Sequence, residues 1–174
     1  MITVALSASI GAPIDRVWCA LTDPSERIVW DERILGEVSQ SRGSTKTTEP
    51  TEPTEPTTTR SAARSANVAP RKTTWRFRLG GVPLVMQDVA SIVDPNKRLV
   101  SRISIGSMQF DQTLTLHGED DESGMRTRLG MKLVARNQIA VLGDVVQRLD
   151  VQKIVIEYVD TTLRQVQKYC EADA

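Results

Sequence analysis

The sequence is poor in the side chains on which most nucleophilic and metal sites depend. It has one histidine and two cysteines among 174 residues. The histidine, His117, is expected at the exposed end of a strand beside the acidic run 118–124, which argues against a Ser–His–Asp or Cys–His arrangement. So few nitrogen and sulfur ligands also disfavour a zinc site, and the acidic run imposes no spacing of calcium ligands. We therefore predict no metal, no cofactor and no catalytic residue of these kinds.

The two cysteines are too few for a disulfide framework. Cys19 and Cys170 lie at opposite ends of the chain, each within a predicted helix. Buried free thiols of a cytoplasmic protein are favoured over a disulfide between them.

An excess of charge and long apolar runs are also missing. Lysine plus arginine and aspartate plus glutamate both number 22, so the chain has no basic footprint for nucleic acid. No stretch approaches the ~20 apolar residues of a membrane span. The start, MITVALSASIGAP, has no cationic region followed by an apolar run of signal-peptide length. The glycines form no G-x-G-x-x-G or P-loop spacing.

Large apolar residues almost disappear between residues 41 and 72. This segment has one valine and a repeat of Glu, Pro and Thr over 49–57. It cannot bury enough apolar surface to offset the entropy of ordering it. We predict a disordered Thr/Pro/Glu-rich insertion at 41–72, between the second and third strands of a single domain over 1–174.

The first forty residues predict a strand, two short helices and a second strand. Ile2 to Ser9 alternates as a strand, and Pro13 is suited to the first turn of a helix. Asp23 is expected to cap the second short helix, with Glu26 completing a capping box. The second strand is expected over Ile34–Ser39.

Five further strands follow the insertion. Trp75 and Phe77 alternate with Arg76 and Arg78, which indicates one apolar and one solvated face. Glycines at 80 and 81 predict a tight hairpin. The other strands are expected at about 82–93, 99–105, 108–116 and 126–135. Short connections favour antiparallel pairing.

The last stretch, from Gln138 to Cys170, runs for 33 residues without proline. Its apolar residues recur in steps of three and four and predict a helix about 50 Å long. Lys153 interrupts this apolar stripe. A helix with one apolar face must cover a sheet, so we expect an α+β fold in which it lies on the concave face.

In this order of elements the chain resembles the START-like, or Bet v 1-like (SRPBCC), superfamily, in particular its polyketide cyclase/dehydrase and lipid-transport branch. The resemblance rests on residues 10–18, 21–24, Trp30, 89–100 and the final helix. It implies a helix-grip fold, in which a curved seven-stranded antiparallel sheet wraps around the C-terminal helix. It also implies an elongated cavity between the two for sterols, lipids, polyketides or similar molecules. The insertion departs from the family pattern.

The residues expected to line this cavity are mostly apolar with a few polar groups, as in small-molecule sites. We predict contacts with a hydrophobic ligand from Trp30, Trp75, Phe77, Phe110, Gln112, Leu114, Leu129, Met131, Leu149, Lys153 and Ile156. One of Gln87 and Asp88 also faces inward, and the pattern does not decide which. Trp30 either gates the cavity or caps the core. The simpler alternative is that the apolar residues pack as core while Lys153 snorkels to the helix edge.

Three functions remain open on the sequence. The first is non-covalent binding or transport of a hydrophobic small molecule, oriented by Gln112 and Lys153. The second is a cyclase or dehydratase in which a desolvated Lys153 acts as general base with Asp31 or Asp88 as proton partner. The third is a co-chaperone-like module that binds another protein through 41–72. The sequence gives no oligomeric state.

Overall fold

A computed structural model describes residues 1–38, 71–121, 124–136, 139–142 and 145–172. The insertion predicted at 41–72 therefore lies almost wholly outside the described residues. In chain order the elements are β1 (Ile2–Ile10), α1 (Ile14–Thr22), α2 (Pro24–Trp30), β2 (Ile34–Glu37), β3 (Lys72–Leu79), β4 (Val82–Asp94), β5 (Arg98–Ile105), β6 (Met108–Asp121), β7 (Gly124–Ala135), β8 (Ile139–Leu142), β9 (Val145–Asp150) and α3 (Val151–Ala172).

Seven of the strands form one antiparallel sheet in the order β1-β7-β6-β5-β4-β3-β2. Consecutive strands from β2 to β7 are neighbours, and β1 closes the far edge against β7. Helix α3 packs on β1 and β7 and also contacts α1 and α2. The predicted α+β helix-grip architecture is confirmed.

Strand β3 has the two faces that its alternating apolar and charged residues predicted. Trp75 and Phe77 are buried, whereas Arg76 and Arg78 are exposed. The strand ends at Gly80 and Gly81, whose φ angles of 54° and 87° suit a two-residue hairpin and strain other residues. This turn brings β4 back along β3 and sets the register in which Trp75 faces Met86.

The junction of α1 and α2 is fixed by a helix cap. Oδ1 of Asp23 accepts a hydrogen bond of 2.8 Å from the backbone N–H of Ser25, as expected of an N-cap. The carboxylate of Glu26, predicted to complete a capping box, instead accepts from Arg16 Nη1 at 2.5 Å. This ion pair ties α2 to α1.

The final helix is shorter than predicted. It begins at Val151, and the residues before it form the strands β8 and β9, which pair with each other. Asp150 caps the helix, because its Oδ1 accepts from the backbone N–H groups of Gln152 and Lys153 at 3.0 and 3.3 Å. The 22 residues of α3 span about 33 Å rather than about 50 Å.

The buried face of α3 also differs from the predicted stripe over its first two turns. Its buried residues are Val151, Val155, Tyr158, Val159, Thr162, Leu163, Val166 and Cys170. Lys153 and Ile156 are exposed, so the prediction that they face the interior is wrong. The stripe is correct only from Val159 onwards.

Three smaller expectations can be compared with the structure. His117 is exposed as predicted, but β6 continues to Asp121, and Glu119 within it binds Arg128 at 2.7 Å.

Neither cysteine is in a disulfide; Cys170 is buried, whereas Cys19, expected to be buried, is exposed. Among the described residues, no helix is long and apolar enough to span a membrane.

Candidate ligand-binding site

A pocket of about 150 Å³ lies between the junction of α1 with α2 and the strands β3, β4 and β5. Its mouth includes Arg71 and Val93, which are both exposed, so the pocket opens to solvent. The complete lining is Leu21, Thr22, Pro24, Arg27, Arg71, Thr73, Trp75, Asp88, Ala90, Val93 and Leu99. Most of this wall is apolar, and the polar groups are concentrated around one arginine.

That arginine, Arg27, forms an ion pair with Asp88 across the pocket. Its Nη1 lies 2.8 Å from Oδ2 of Asp88, and both side chains are about nine-tenths buried. The alternation of β4 turns Asp88 inward and leaves Gln87 exposed, which answers the question that the sequence left open. The guanidinium also lies near the ring of Trp75, with Cζ 5.9 Å from the ring centroid.

Behind this pair, a second group of polar side chains joins α3 to residues 31–33, which follow α2. Arg27 Nη2 donates to the Tyr158 hydroxyl at 3.3 Å. Arg33 binds Asp31 through two bonds, from Nε at 2.8 Å and from Nη2 at 3.0 Å. Asp31 is completely buried, so this bidentate pairing compensates a charge that would otherwise be costly in the interior.

Arg33 is further held by α3. Its Nη2 donates to Thr162 Oγ1 at 2.8 Å, and Thr162 in turn donates to the carbonyl oxygen of Tyr158 at 2.7 Å. The guanidinium stacks over the rings of Tyr158 and Phe77, at 4.5 and 5.4 Å from their centroids. The two arginines are thus fixed by several partners each.

These contacts determine the charge state of the cluster. Burial alone lowers the pKa of Arg27, but the electrostatic effects of Tyr158, Asp88 and Asp31 outweigh it and raise that pKa above its ordinary value. Burial raises the pKa of the Tyr158 phenol, although Arg27 and Arg33 act in the opposite direction. At neutral pH Arg27 is therefore a guanidinium cation and Tyr158 a neutral phenol.

Two buried donors of this pocket have no hydrogen-bond partner in the part of the chain that the structure describes. They are the indole Nε1–H of Trp75 and the Nε–H of Arg27. Trp75 is 1% exposed and lines the pocket, as does Arg27. Both nitrogens are sealed from the space of the pocket by neighbouring atoms, so these N–H groups lose their hydration without a compensating hydrogen bond.

The residues predicted to contact a ligand fall into separate places. Trp75 lines the pocket. Trp30, Gln112 and Leu114 line an adjoining space of about 10 Å³, which is no larger than a water molecule requires. Four candidates on the strands β3, β6 and β7 are buried in the core and line neither space: Phe77, Phe110, Leu129 and Met131.

Three of the predicted residues belong to the last part of the chain. Lys153 and Ile156 are exposed on the outer face of α3 and so are not positioned for the predicted cavity. The premise that Lys153 is a desolvated base is therefore wrong. The side chain of Leu149 lies outside the described residues.

Trp30 was expected either to gate the cavity or to cap the core. It is 5% exposed, and its Nε1–H donates to the carbonyl oxygen of Ala20 at 2.7 Å. Because its polar atom is bonded to the backbone of α1, Trp30 is positioned as a packing residue that joins the two short helices.

Sequence reasoning missed the arginines around which the site is built. Arg27 lies in a seven-residue helix directly after Glu26, and adjacent opposite charges in a short helix are typical of a solvated surface. The available signal was on α3, where Tyr158 and Thr162 are spaced four residues apart among buried aliphatic residues. Polar groups on an apolar helix face require buried partners.

Two of the larger depressions are less suited to an apolar ligand. One of about 560 Å³ is lined in part by Asp94, Lys97, Arg98 and His117. Another of about 330 Å³ is lined in part by Glu32, Arg33, Arg78 and Glu157. Most of these charged side chains are exposed, so both depressions are wet, open surface.

Comparison with solved structures identifies the fold. The chain is similar to a START superfamily protein from Mycobacterium smegmatis, with 11% identity, a TM-score of 0.64 and 99% of each chain covered. It is also similar to the Zhui aromatase/cyclase from Streptomyces sp. R1128, with 13% identity, a TM-score of 0.62, and 98% of this chain and 93% of that one covered.

A third similar structure is the di-domain ARO/CYC protein StfQ from the steffimycin biosynthetic pathway. The identity is 11% and the TM-score 0.57, with 99% of this chain but 52% of that chain covered. No protein-family model and no curated protein matches the sequence. At these identities the comparisons establish the START-like fold, as the resemblance in the sequence implied.

Proposed function

We propose that this START-fold chain binds an apolar small molecule in the pocket between the α1–α2 junction and strands β3–β5. The observation that carries the proposal is the pocket itself, whose apolar wall surrounds the buried ion pair of Arg27 and Asp88. Apolar concavities with a few fixed polar groups are typical of small-molecule sites. Structures of similar fold include a START superfamily protein and aromatase/cyclases, which supports this class of function.

The size of the pocket limits the part of the ligand that is buried. A cavity of about 150 Å³ in a protein core holds one benzene molecule, so this pocket suits about one ring. Burial contributes ~2.5 kcal/mol for each 100 Å² of apolar surface removed from water. A larger ligand extends through the mouth, past Val93 and Arg71.

The site differs from the one expected between the sheet and the start of the final helix. Much of that volume is occupied by core side chains such as Leu129 and Met131. The pocket instead lies on the β3–β5 side of the sheet, beside the short helices.

Filling the pocket tests the proposal. Ala90 lines the pocket and is half-buried on β4. Ala5 is exposed on β1, the edge strand farthest from β2, and does not line the pocket. In titration calorimetry with toluene, the wild type and Ala5→Phe should bind, and Ala90→Phe should lose binding while keeping the wild-type circular dichroism spectrum. Equal binding by the two variants would place the ligand elsewhere, and no binding by the wild type would refute the proposal.

A second candidate function is catalysis of the cyclase or dehydratase type. The observation that favours it is Asp88, a carboxylate at the pocket wall beside a guanidinium, where a proton-transfer group would be required. Turnover of a short poly-β-ketone mimic by the wild type, abolished in Asp88→Asn with binding retained, would support it. The protein-binding alternative depends on 41–72, and no described contact favours it.

The free cysteines support a proposal for the cellular location. Cys19 is exposed and unbridged, which suits a reducing compartment, so we extend the proposal to a cytoplasmic protein.

A further inference from the structure

The charges of this neutral chain are unevenly distributed over its sheet. Along each strand, alternate side chains point inward, toward the pocket and α3, or outward to solvent. The outer face of β3 and β5 carries five exposed cations: Lys72, Arg76, Arg78, Arg98 and Arg102. Among the described residues of β3, β4 and β5, this face has one acidic side chain, Asp94, which pairs with Arg98 at 3.3 Å. The face is therefore basic, although the chain has no net charge.

Strand β4 lies between these two cationic strands and presents mainly aliphatic residues on the same face. Three of them form what we call the β4 stripe: Val85, Val89 and Ile92. Val85 is 50% exposed and Ile92 is 40% exposed. The register places Val85 beside Arg76. It places Val89 between Lys72 and Arg102. The β4 stripe is on the order of 20 Å long and runs between two rows of cations.

Two of the neighbouring cations lean away from the β4 stripe. Arg76 Nη2 lies on the side of β2, 3.5 Å from the position that a Cβ of Gly36 would occupy. Arg102 Nε donates to Asp111 Oδ1 on β6 at 3.2 Å. The stripe is consequently open to solvent, and its short side chains are bordered by longer cationic ones. Exposed apolar patches with a polar rim are typical of interaction sites.

We propose that the outer face of β3–β5 binds an amphipathic α-helix of a partner protein, whose apolar ridge lies on the β4 stripe between acidic flanks. Strands β3 and β5 are two strand spacings apart, about 10 Å, and an α-helix is about 10 Å wide. Apolar sheet faces are commonly buried by helices. The acidic flanks pair with the cations of β3 on one side and of β5 on the other. This surface is separate from the pocket, which lies against the inner face.

Two other anionic partners fit this face less well. A bilayer surface would meet the long cationic side chains before it reached the shorter valines. The aromatic residues of β3, Trp75 and Phe77, are buried on the inner face. The described outer face of β3–β5 therefore offers neither the aromatic anchors common at lipid interfaces nor the stacking platforms that bind single-stranded nucleic acid. A helix has a narrow ridge that can enter between the two rows of cations.

A pair of designed peptides tests shape and charge together. The first is a helix of about 18 residues with a ridge of leucines flanked on both sides by glutamates. The second has the same composition in an order that spreads the leucines around the helix. In fluorescence titrations of the full chain, the first peptide should bind at least about tenfold more tightly than the second. No binding of the first peptide, or equal binding of the two, would overturn the inference.

Two pairs of variants locate the binding surface. Val85→Asp places a negative charge in the β4 stripe and should weaken binding of the first peptide on the order of tenfold. Val29→Asp, at an exposed valine of α2, should leave that binding unchanged. Lys72→Gln should reduce the dependence of binding on salt, whereas Lys132→Gln, at an exposed lysine of β7, should not. All four variants should keep the wild-type circular dichroism spectrum. Equal effects within either pair would overturn the inference.

Mapping on the wild type avoids dependence on the folding of the variants. In a ¹⁵N–¹H spectrum, the first peptide should shift the backbone amide signals of Arg76, Val85 and Arg102. Shifts confined to α3 or to the mouth of the pocket would overturn the inference.

The same assays distinguish other occupants of this face. Phosphatidylglycerol vesicles or a single-stranded DNA oligonucleotide that displaced the peptide, and lost binding in Val85→Asp, would identify a membrane or a nucleic acid instead. A dimer that dissociates in Val85→Asp would identify a second copy of this chain. Peptide binding that tightens more than about tenfold on deletion of the glutamate repeat 49–57 would identify that repeat as the occupant. Each of these results would overturn the inference.

Discussion

Arg27 Nη1 lies 2.8 Å from Asp88 Oδ2, and this single contact joins helix α2 to strand β4 across the ligand pocket. The same guanidinium reaches Tyr158 on α3. The polar end of the pocket is therefore also the place where the short helices, the sheet and the long helix are held together. Changes in this cluster should therefore alter stability.

Replacing Asp88 should destabilise the protein far more than replacing a surface carboxylate. Asp88→Asn leaves the buried Arg27 without its counter-charge, which should lower the free energy of unfolding by about 3 kcal/mol. Asp160→Asn removes an ion pair with Arg164 whose side chains are 45% and 73% exposed, and should cost less than about 1 kcal/mol. Urea unfolding of both variants measures the difference. Equal losses would show that the Arg27 pair is not held in a desolvated place.

The Tyr158 phenol should make the protein less stable at high pH. Burial raises its pKa, so the folded protein keeps the phenolic proton at pH values where the unfolded chain loses it. Above the ordinary pKa of 10.0 the unfolded state therefore binds fewer protons, and the free energy of unfolding falls as the pH rises. Below that pH this contribution is fully present.

Unfolding curves between pH 8 and about 11 can show the contribution of Tyr158. Tyr158→Phe should flatten the decline above pH 10, because it removes the group that titrates. Tyr169→Phe changes the other tyrosine and leaves Tyr158 in place, so it should keep the wild-type slope. The same slope in Tyr158→Phe as in the wild type would contradict the assignment.

The hydroxyl of Thr162 should contribute more to the free energy of unfolding than the hydroxyl of Thr161. It accepts from Arg33 and donates to the backbone of Tyr158 in a buried place. Thr162→Val should lower the free energy of unfolding by about 1–3 kcal/mol, because the charged Arg33 donor loses its acceptor. Thr161→Val is the matched control at a half-buried position and should change stability by less than about 0.5 kcal/mol. Thermal unfolding of the two variants compares them directly.

Lys153 should contribute little to stability or to ligand binding. It is exposed, so Lys153→Ala should change the free energy of unfolding by less than about 0.5 kcal/mol and leave the affinity for toluene unchanged. Calorimetry and urea unfolding check both expectations. A large loss of affinity would mean that the ligand lies against the first turns of α3.

The sheet was predictable where a strand alternates between an exposed and a buried face. Trp75 and Phe77 against Arg76 and Arg78 is the clearest example, and the glycine pair after them fixes the hairpin. Such alternation and turn chemistry are local, so they can be recognised without knowledge of distant contacts.

The start of the last helix was not predicted, because short apolar segments are ambiguous. Spacings of three and four link Ile139, Leu142, Val146 and Leu149, and these fit a helix although the structure has strands there. Gly143-Asp144, between the two strands, is a hairpin signal that the helical pattern concealed. Asp150 before Val151 is likewise an N-cap signal.

The pocket could not be found from the sequence, because its polar groups come from distant parts of the chain. Arg27 and Asp88 are 61 residues apart, and Tyr158 is 131 residues from Arg27. No local pattern relates them. What decides their role is the register of β4 and the placement of α2 over the sheet, which only the folded structure shows.

The most direct test is to locate a bound probe. Intermolecular nuclear Overhauser effects should be measured between bound toluene and the methyl groups of the protein. Contacts with Leu21, Ala90 and Leu99 are the result that this account predicts. Contacts with Leu129 or Met131 beneath the long helix, without any to the other three, would contradict it.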